Sequence, residues 1–250
     1  MFSKDIEFSC PKDYFLKKED YPIPSTLNIP DWFKKLNHDK NLPTIKGCMP
    51  FLDTLKAGYI LKMPQDMNIR HNIPNIEKDN ALDTFQQASL RGLGDVLKMK
   101  GLNLNSEYIE VHPNSQLGGC PLNKKNSDLP FHKIQNPWTI KTPPGYSCLF
   151  VPPLNNSDDR FSIIPGIVDT DTFDVEVNFP IVMNGDKYPK QELFIKKGTP
   201  YVQIIPFKRD NWKMKITPHK QNQSLMNKIF YRLNFWESYK NNFWKKKIWK

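Results

Sequence analysis

The chain has 250 residues, 38% hydrophobic and 12% aromatic, enough for one large or two small domains with a real core. Twenty-two prolines against eleven glycines exclude long uninterrupted helices over most of it, and its longest apolar runs are strand-sized. Nothing approaches the roughly 20 apolar residues that span a bilayer. The formal charge of +10 invites nucleic acid or membrane partners, but ten of the 36 Lys and Arg fall in 211–250, against Glu237 alone of the 26 acids. The body is close to neutral and the basic character belongs to the C-terminal segment.

Residues 1–7 show no apolar core and no small-residue cleavage site, so the expectation is a soluble, unexported, cytoplasmic protein of a cell or an infected host. Residues 1–50 are punctuated by Pro22, Pro24, Pro30 and Pro43, with one short helical candidate over 30–36. They read as an arm packing on a core domain at 51–215. Strands are expected at Tyr59–Leu61, before a Pro64-Gln65-Asp66 turn, and at Tyr108–His112. Turn signals stand at Asn80, Gly92, Gly94, Gly101, Asn114 and Gly118-Gly119. Trp138–Lys141 and Tyr146–Val151 read as two strands around Pro143-Pro144-Gly145. From Phe173 to Ile181 apolar and polar residues alternate, the period of a half-buried strand with Phe173, Val175, Val177, Phe179 and Ile181 inward. Leu193–Lys196 and Tyr201–Phe207 form a further pair around Lys197-Gly198. Many short strands with proline-rich connections predict a mainly β fold, a barrel or sandwich in one domain.

Residues 224–250 lack proline and glycine, and most of their apolar side chains fall on one half of a helix capped by Ser224. Three readings of this predicted basic aromatic helix stay open. It docks on its own domain or a neighbouring subunit, it lies on an anionic membrane surface, or it meets nucleic acid. The residues that carry the last two are Lys245, Lys246, Lys247, Trp249 and Lys250.

The four cysteines are scattered with no CxxC pair, and no HxH, HxD or HExxH spacing occurs, so no metal site is expected and the thiols read as reduced. Asp158-Asp159-Arg160 reads as a solvated acidic turn. Asp169 and Asp171 flank Thr170 between two strand signals, the composition of an Asx-capped turn. Phe173 then begins a strand, and Gln203 on a strand satisfies buried backbone groups.

Gly166-Ile-Val-Asp-Thr-Asp-Thr-Phe173 is similar to the Gly-Val-Ile-Asp-x-Asp-Tyr segment of trimeric dUTPases and their dCTP-deaminase relatives. Phe194–Ile205 resembles that family's Gly-Asp-x-x-x-Gln strand, and Ala57-Gly58-Tyr59-Ile60-Leu61 its Ala-Gly-x-Asp-Leu opening. The resemblance implies a β-clip barrel and a homotrimer. It also implies that Asp169 activates water, that Phe173 stacks on a deoxyribose, and that Asp171 and Gln203 help bind ligand. The chain departs from the pattern at three places. Ile60 replaces an acid, Pro152-Pro153-Leu154-Asn155 stands where an Arg-Ser-Gly phosphate grip belongs, and the glycine-rich lid gives way to the Lys/Trp segment. Proline offers no N–H to a phosphate. Across its length, through Cys48-Met-Pro-Phe-Leu-Asp53, Asn136-Pro-Trp138, Pro144-Gly-Tyr-Ser147 and the basic aromatic C-terminus, the chain also resembles an uncharacterised family of marine phages and bacteria. The function expected is non-catalytic binding of a small ligand or partner by a β-clip-like oligomer, with no cofactor. The alternatives are a divergent dUTPase-type hydrolase using magnesium, and a phage assembly protein acting through its basic C-terminus.

Overall fold

The computed structural model describes residues 4–15, 18–70, 109–126, 128, 130–185, 187, 192–218, 225, 228–229 and 237–250. The turn signals at Asn80, Gly92, Gly94 and Gly101, and most of 224–236, lie outside them. The first fifty residues give β1 (Glu7–Ser9), α1 (Lys12–Phe15), β2 (Ile23–Pro24), α2 (Asp31–Lys35) and the start of α3 (Met49–Lys56). Pro50 opens α3, where its missing N–H costs nothing. Then follow β3 (Tyr59–Lys62), β4 (Met67–Arg70), β5 (Ile109–His112), α4 (Pro121–Lys125), β6 (Phe131–Ile134), β7 (Thr139–Lys141) and β8 (Tyr146–Val151). Last come β9 (Phe161–Ile163), β10 (Gly166–Val168), β11 (Phe179–Met183), β12 (Glu192–Ile195), β13 (Pro200–Lys208) and α5 (Ser238–Asn242).

The architecture is mainly β. One sheet runs β10-β8-β13-β3-β2, a second β5-β6-β11-β9, and two ribbons pair β1 with β7 and β12 with β4. All described pairings are antiparallel. The long strand β13 is the spine, bonded to β8 along one side and β3 along the other. Alternate residues Leu61, Cys148, Phe150, Val202 and Ile204 meet Ile134, Phe161, Ile163, Phe179, Ile181 and Met183 of the second sheet in one buried cluster. Phe179 joins the layers, its ring 5.4 Å from Phe150 and 5.7 Å from Tyr201. Burying such side chains is worth about 1.5–3 kcal/mol each before chain entropy is charged against it.

Four expectations are corrected here. The sheets face one another as open layers rather than closing into a barrel, since β10, β2, β5 and β9 each keep an edge among the described residues. The 1–50 segment does more than cover the core, because β1 and β2 are hydrogen-bonded into sheets. The alternating run 173–181 is strand only from Phe179, because among the described residues Phe173 to Asn178 meet no partner strand and Phe173 and Val175 face solvent. The strands flanking Lys197-Gly198 pair with β4 and β3 instead of each other.

Within the predicted C-terminal helix, Leu225, Lys228 and Ile229 are helical and α5 is a short turn. Glu237 enters α5 at φ 53°, and after Asn242 the backbone leaves the helical path. Beyond it Trp244, Lys247 and Trp249 lie against α3 and β3. No helix among the described residues is long and apolar enough to cross a membrane.

Candidate functional site

The turn after β10 gathers the nominated carboxylates. Thr172 N and Phe173 N both donate to Asp169 O, at 3.0 and 2.9 Å, closing the turn that Asp and Thr favour. Within it Thr170 is fully buried, sharing a hydrogen bond with Thr142 Oγ1 at 2.8 Å and donating to Cys148 Sγ at 3.3 Å. That fixes the two aspartates facing outward toward Arg209, just past the end of β13.

Arg209 Nη1 donates to Asp171 Oδ1 at 2.7 Å while Nη2 bonds Oδ2, a fork-on-fork pair. Gly145 N donates to Asp171 Oδ2 at 2.8 Å from the Pro143-Pro144-Gly145 turn, where Gly145 takes φ 82°. The guanidinium first, and that N–H second, hold the Asp171 carboxyl down at about 2, and Asp171 raises Arg209 in return. Asp169 Oδ1 accepts from Ser147 Oγ at 2.6 Å and lies 3.2 Å from Arg209 Nη1. Arg209 also donates to Tyr146 O and Ser147 Oγ, both at 3.1 Å, and its own N–H reaches Gly145 O at 2.8 Å. The arrangement is a polar knot tying the ends of β8, β10 and β13. Its donors point at its own carboxylates.

Phe173 stands beside this knot, 41% exposed. Gln203 is elsewhere and 1% exposed. Its Oε1 accepts from Leu154 N at 2.8 Å, and its Nε2 donates to Thr54 O at 2.8 Å and Ala57 O at 2.7 Å, so it clamps the last turn of α3 to the sheet. The segment where a phosphate grip was sought therefore spends its Leu154 N–H on Gln203. Gly58 closes the same joint. At φ 67° it lies so near β13 that a Cβ there would stand 1.8 Å from Ile204 O. Of the three segments of the sequence resemblance, Ala57–Leu61 leads into β3, Phe194–Ile205 runs from the end of β12 into β13, and Gly166–Phe173 covers β10 and the turn after it, so that three strands of one sheet, β3, β13 and β10, carry most of it.

The C-terminal residues rest on this joint from outside. Trp244 Nε1 donates to Asp53 Oδ2 at 3.0 Å, and Lys247 Nζ pairs with the same oxygen. Trp249 meets the Tyr59 ring edge-on at 6.2 Å, and Tyr59 OH donates to Lys250 O at 3.2 Å. Lys245, Lys246 and the Lys250 side chain face solvent. Asp158 holds Arg160 through both carboxylate oxygens, and Arg160 reaches Phe194 O at 2.8 Å, so that acidic turn is an internal latch.

Sequence reasoning did not single out Arg209, Ser147 or Asp53. The one signal for Arg209 is a lone arginine just past the strand β13, which lies two strands from the β10 that ends in the Asp-x-Asp turn. A hollow of about 420 Å³ lies apart from the knot, lined by Leu36, His38, Lys46, Met49, Glu237 and Lys240 among others, none of them nominated from sequence. Its Lys46 Nζ is engaged with Lys34 O and Leu36 O, and Lys240 pairs with Glu237. Among the described residues no group of three or more His, Cys, Asp or Glu is placed to hold a metal ion. All four cysteines are free thiols, and burial pushes the Cys148 thiol up to about 11. No protein-family model matches the chain, and no curated protein matches its sequence.

Proposed function

We propose that the chain is a non-catalytic, β-clip-like binding protein that acts by holding a partner. The observation that carries this is the Asp169–Asp171–Arg209 knot. Phosphoanhydride hydrolysis needs a carboxylate facing a bound nucleotide, with cations or N–H groups directed at the phosphates. Here Arg209, Gly145 N–H and Ser147 are directed at Asp171 and Asp169 themselves, and Gln203 is spent on α3. The placement of parts of all three resembling segments in one sheet, on β3, β13 and β10, supports the β-clip-like reading.

The test is thermal unfolding and pyrophosphate release with dUTP and dCTP, with and without magnesium. A nucleotide at 100 times its dissociation constant adds about 2.7 kcal/mol, roughly 5–10 °C for a chain of this size. The expected result is no shift and no release. A shift of that size, with turnover that Asp169→Asn abolishes, would overturn the proposal in favour of the hydrolase.

A further inference from the structure

Two segments of the chain carry the alternation of a strand and have no strand to pair with among the described residues. The first follows β13. Trp212, Met214 and Ile216 are 91%, 84% and 85% exposed, so this segment touches almost nothing of its own chain. Lys213 and Lys215 occupy the intervening positions. The second follows the Asp-Thr-Asp turn. Phe173 and Val175 are 41% and 53% exposed, and Asp174 and Glu176 alternate with them. Both segments spring from the same corner, because the Arg209–Asp171 pair ties their roots together. Beside that corner the edge strand β10 shows Ile167 to solvent, 63% exposed, in one row with Leu149 and Ile205 across the sheet.

We propose that residues 211–217 form a strand-like arm that docks on the 173–177 segment of a second copy of this chain. The charges select that occupant. A Trp-Lys-Met-Lys-Ile arm placed against another such arm would set lysine against lysine, whereas against Phe-Asp-Val-Glu-Val it sets Lys213 and Lys215 opposite Glu176 and Asp174, the latter sharing its exposed carboxylate with Lys141, 2.9 Å away in its own chain. The exposed apolar positions Trp212, Met214 and Ile216 then meet Phe173 and Val175, while Val177 stays packed on its own core. Each copy offers one arm and one acceptor, and because both spring from one corner, two copies can exchange arms reciprocally and close as a two-fold dimer. The proposal rests on the binding half of the function proposed above. Its test is read in particle mass, which nucleotide turnover does not touch.

The experiment measures the mass of the full chain in solution by light scattering across a concentration series. The wild type is expected at twice 29.3 kDa. Lys213→Glu/Lys215→Glu should weaken self-association about 100-fold, through like charges set across the contact. Asp174→Lys/Glu176→Lys should do the same. The chain carrying all four changes should recover the dimer. Trp212→Ser/Met214→Ser/Ile216→Ser should be monomeric with an unchanged circular dichroism spectrum, since these side chains contact little within one chain. A monomeric wild type would overturn the proposal. So would an oligomer that survives either charge reversal, or a fourfold variant that fails to reassociate.

Discussion

Replacing Gln203 with leucine removes the clamp between α3 and the sheet while nearly preserving volume. The side chain makes three hydrogen bonds of 2.7–2.8 Å at 1% exposure. Ala57 O would keep its bond from Ser25 Oγ at 2.8 Å, so the groups left without a protein partner are Leu154 N and Thr54 O. Each such buried group costs about 1–3 kcal/mol, and the added apolar burial of leucine returns about 1 kcal/mol. The expected loss is about 1–5 kcal/mol, or a melting temperature lowered by roughly 2–20 °C. Urea unfolding should show the midpoint moving with the slope unchanged. Gln203→Glu keeps the acceptor for Leu154 N but turns a carboxylate toward two carbonyl oxygens. It should be at least as unstable at neutral pH and regain stability as the carboxyl protonates. A Gln203→Leu chain within about 0.5 kcal/mol of wild type, the range of an ordinary surface change, would refute the clamp and return Gln203 to a ligand-binding role.

Two further outcomes follow from groups whose titration the fold displaces. Asp171 is depressed to about 2 from its ordinary 3.8, so the native state binds fewer protons than the unfolded chain across that window. Its contribution is present above about pH 4 and lost as pH falls toward 2, and Asp171→Asn should flatten that part of the acid-unfolding profile measured by circular dichroism. An unchanged acid limb would contradict the Arg209 pairing. Cys148 is raised to about 11 from 9.0, so the stability it contributes is present below about pH 9 and lost as pH climbs to 11. In a thiol-disulfide exchange assay at mild pH, the half-buried Cys10, Cys48 and Cys120 should react first and Cys148 only on unfolding, and four equal rates would be inconsistent with its burial.

Strand positions were readable where local pattern and tertiary need agree. The prolines and Gly145 of the 143–145 turn separate Thr139–Lys141 from Tyr146–Val151 as expected, and Tyr59 and Ile109 begin strands close to where apolar residues predict them. Pairing was not readable, because partner choice depends on which strand lies alongside. β7 pairs with β1 rather than with β8, over a sequence distance that no local turn signal encodes. The alternation at 173–178 was recognised correctly as a pattern, yet a strand needs a partner as well as a period. At the site, Asp169 and Asp171 were visible as an acidic turn, while Arg209, the group that decides what they do, lies 38 residues from Asp171. The C-terminal segment carries helical amphipathicity, but after Asn242 it leaves the helical path, and Trp244 and Lys247 bond Asp53 from irregular backbone, a long-range contact that no local period encodes.

That use of Asp53 bears on the order in which the molecule assembles. The helix α3 receives Ser25 from one side, Gln203 from another, and the C-terminal residues across 191 to 194 positions of chain. Contacts so far apart in sequence pay loop-closure entropy before they return any energy, which slows the steps that depend on them. Once β3 and β13 have zipped, α3 is already anchored and the loop left to close is shortened to the residues after Lys208. The seating of Trp244 and Trp249 is then a late, local event on a finished surface, and indole fluorescence should report a slow kinetic phase distinct from the growth of sheet signal.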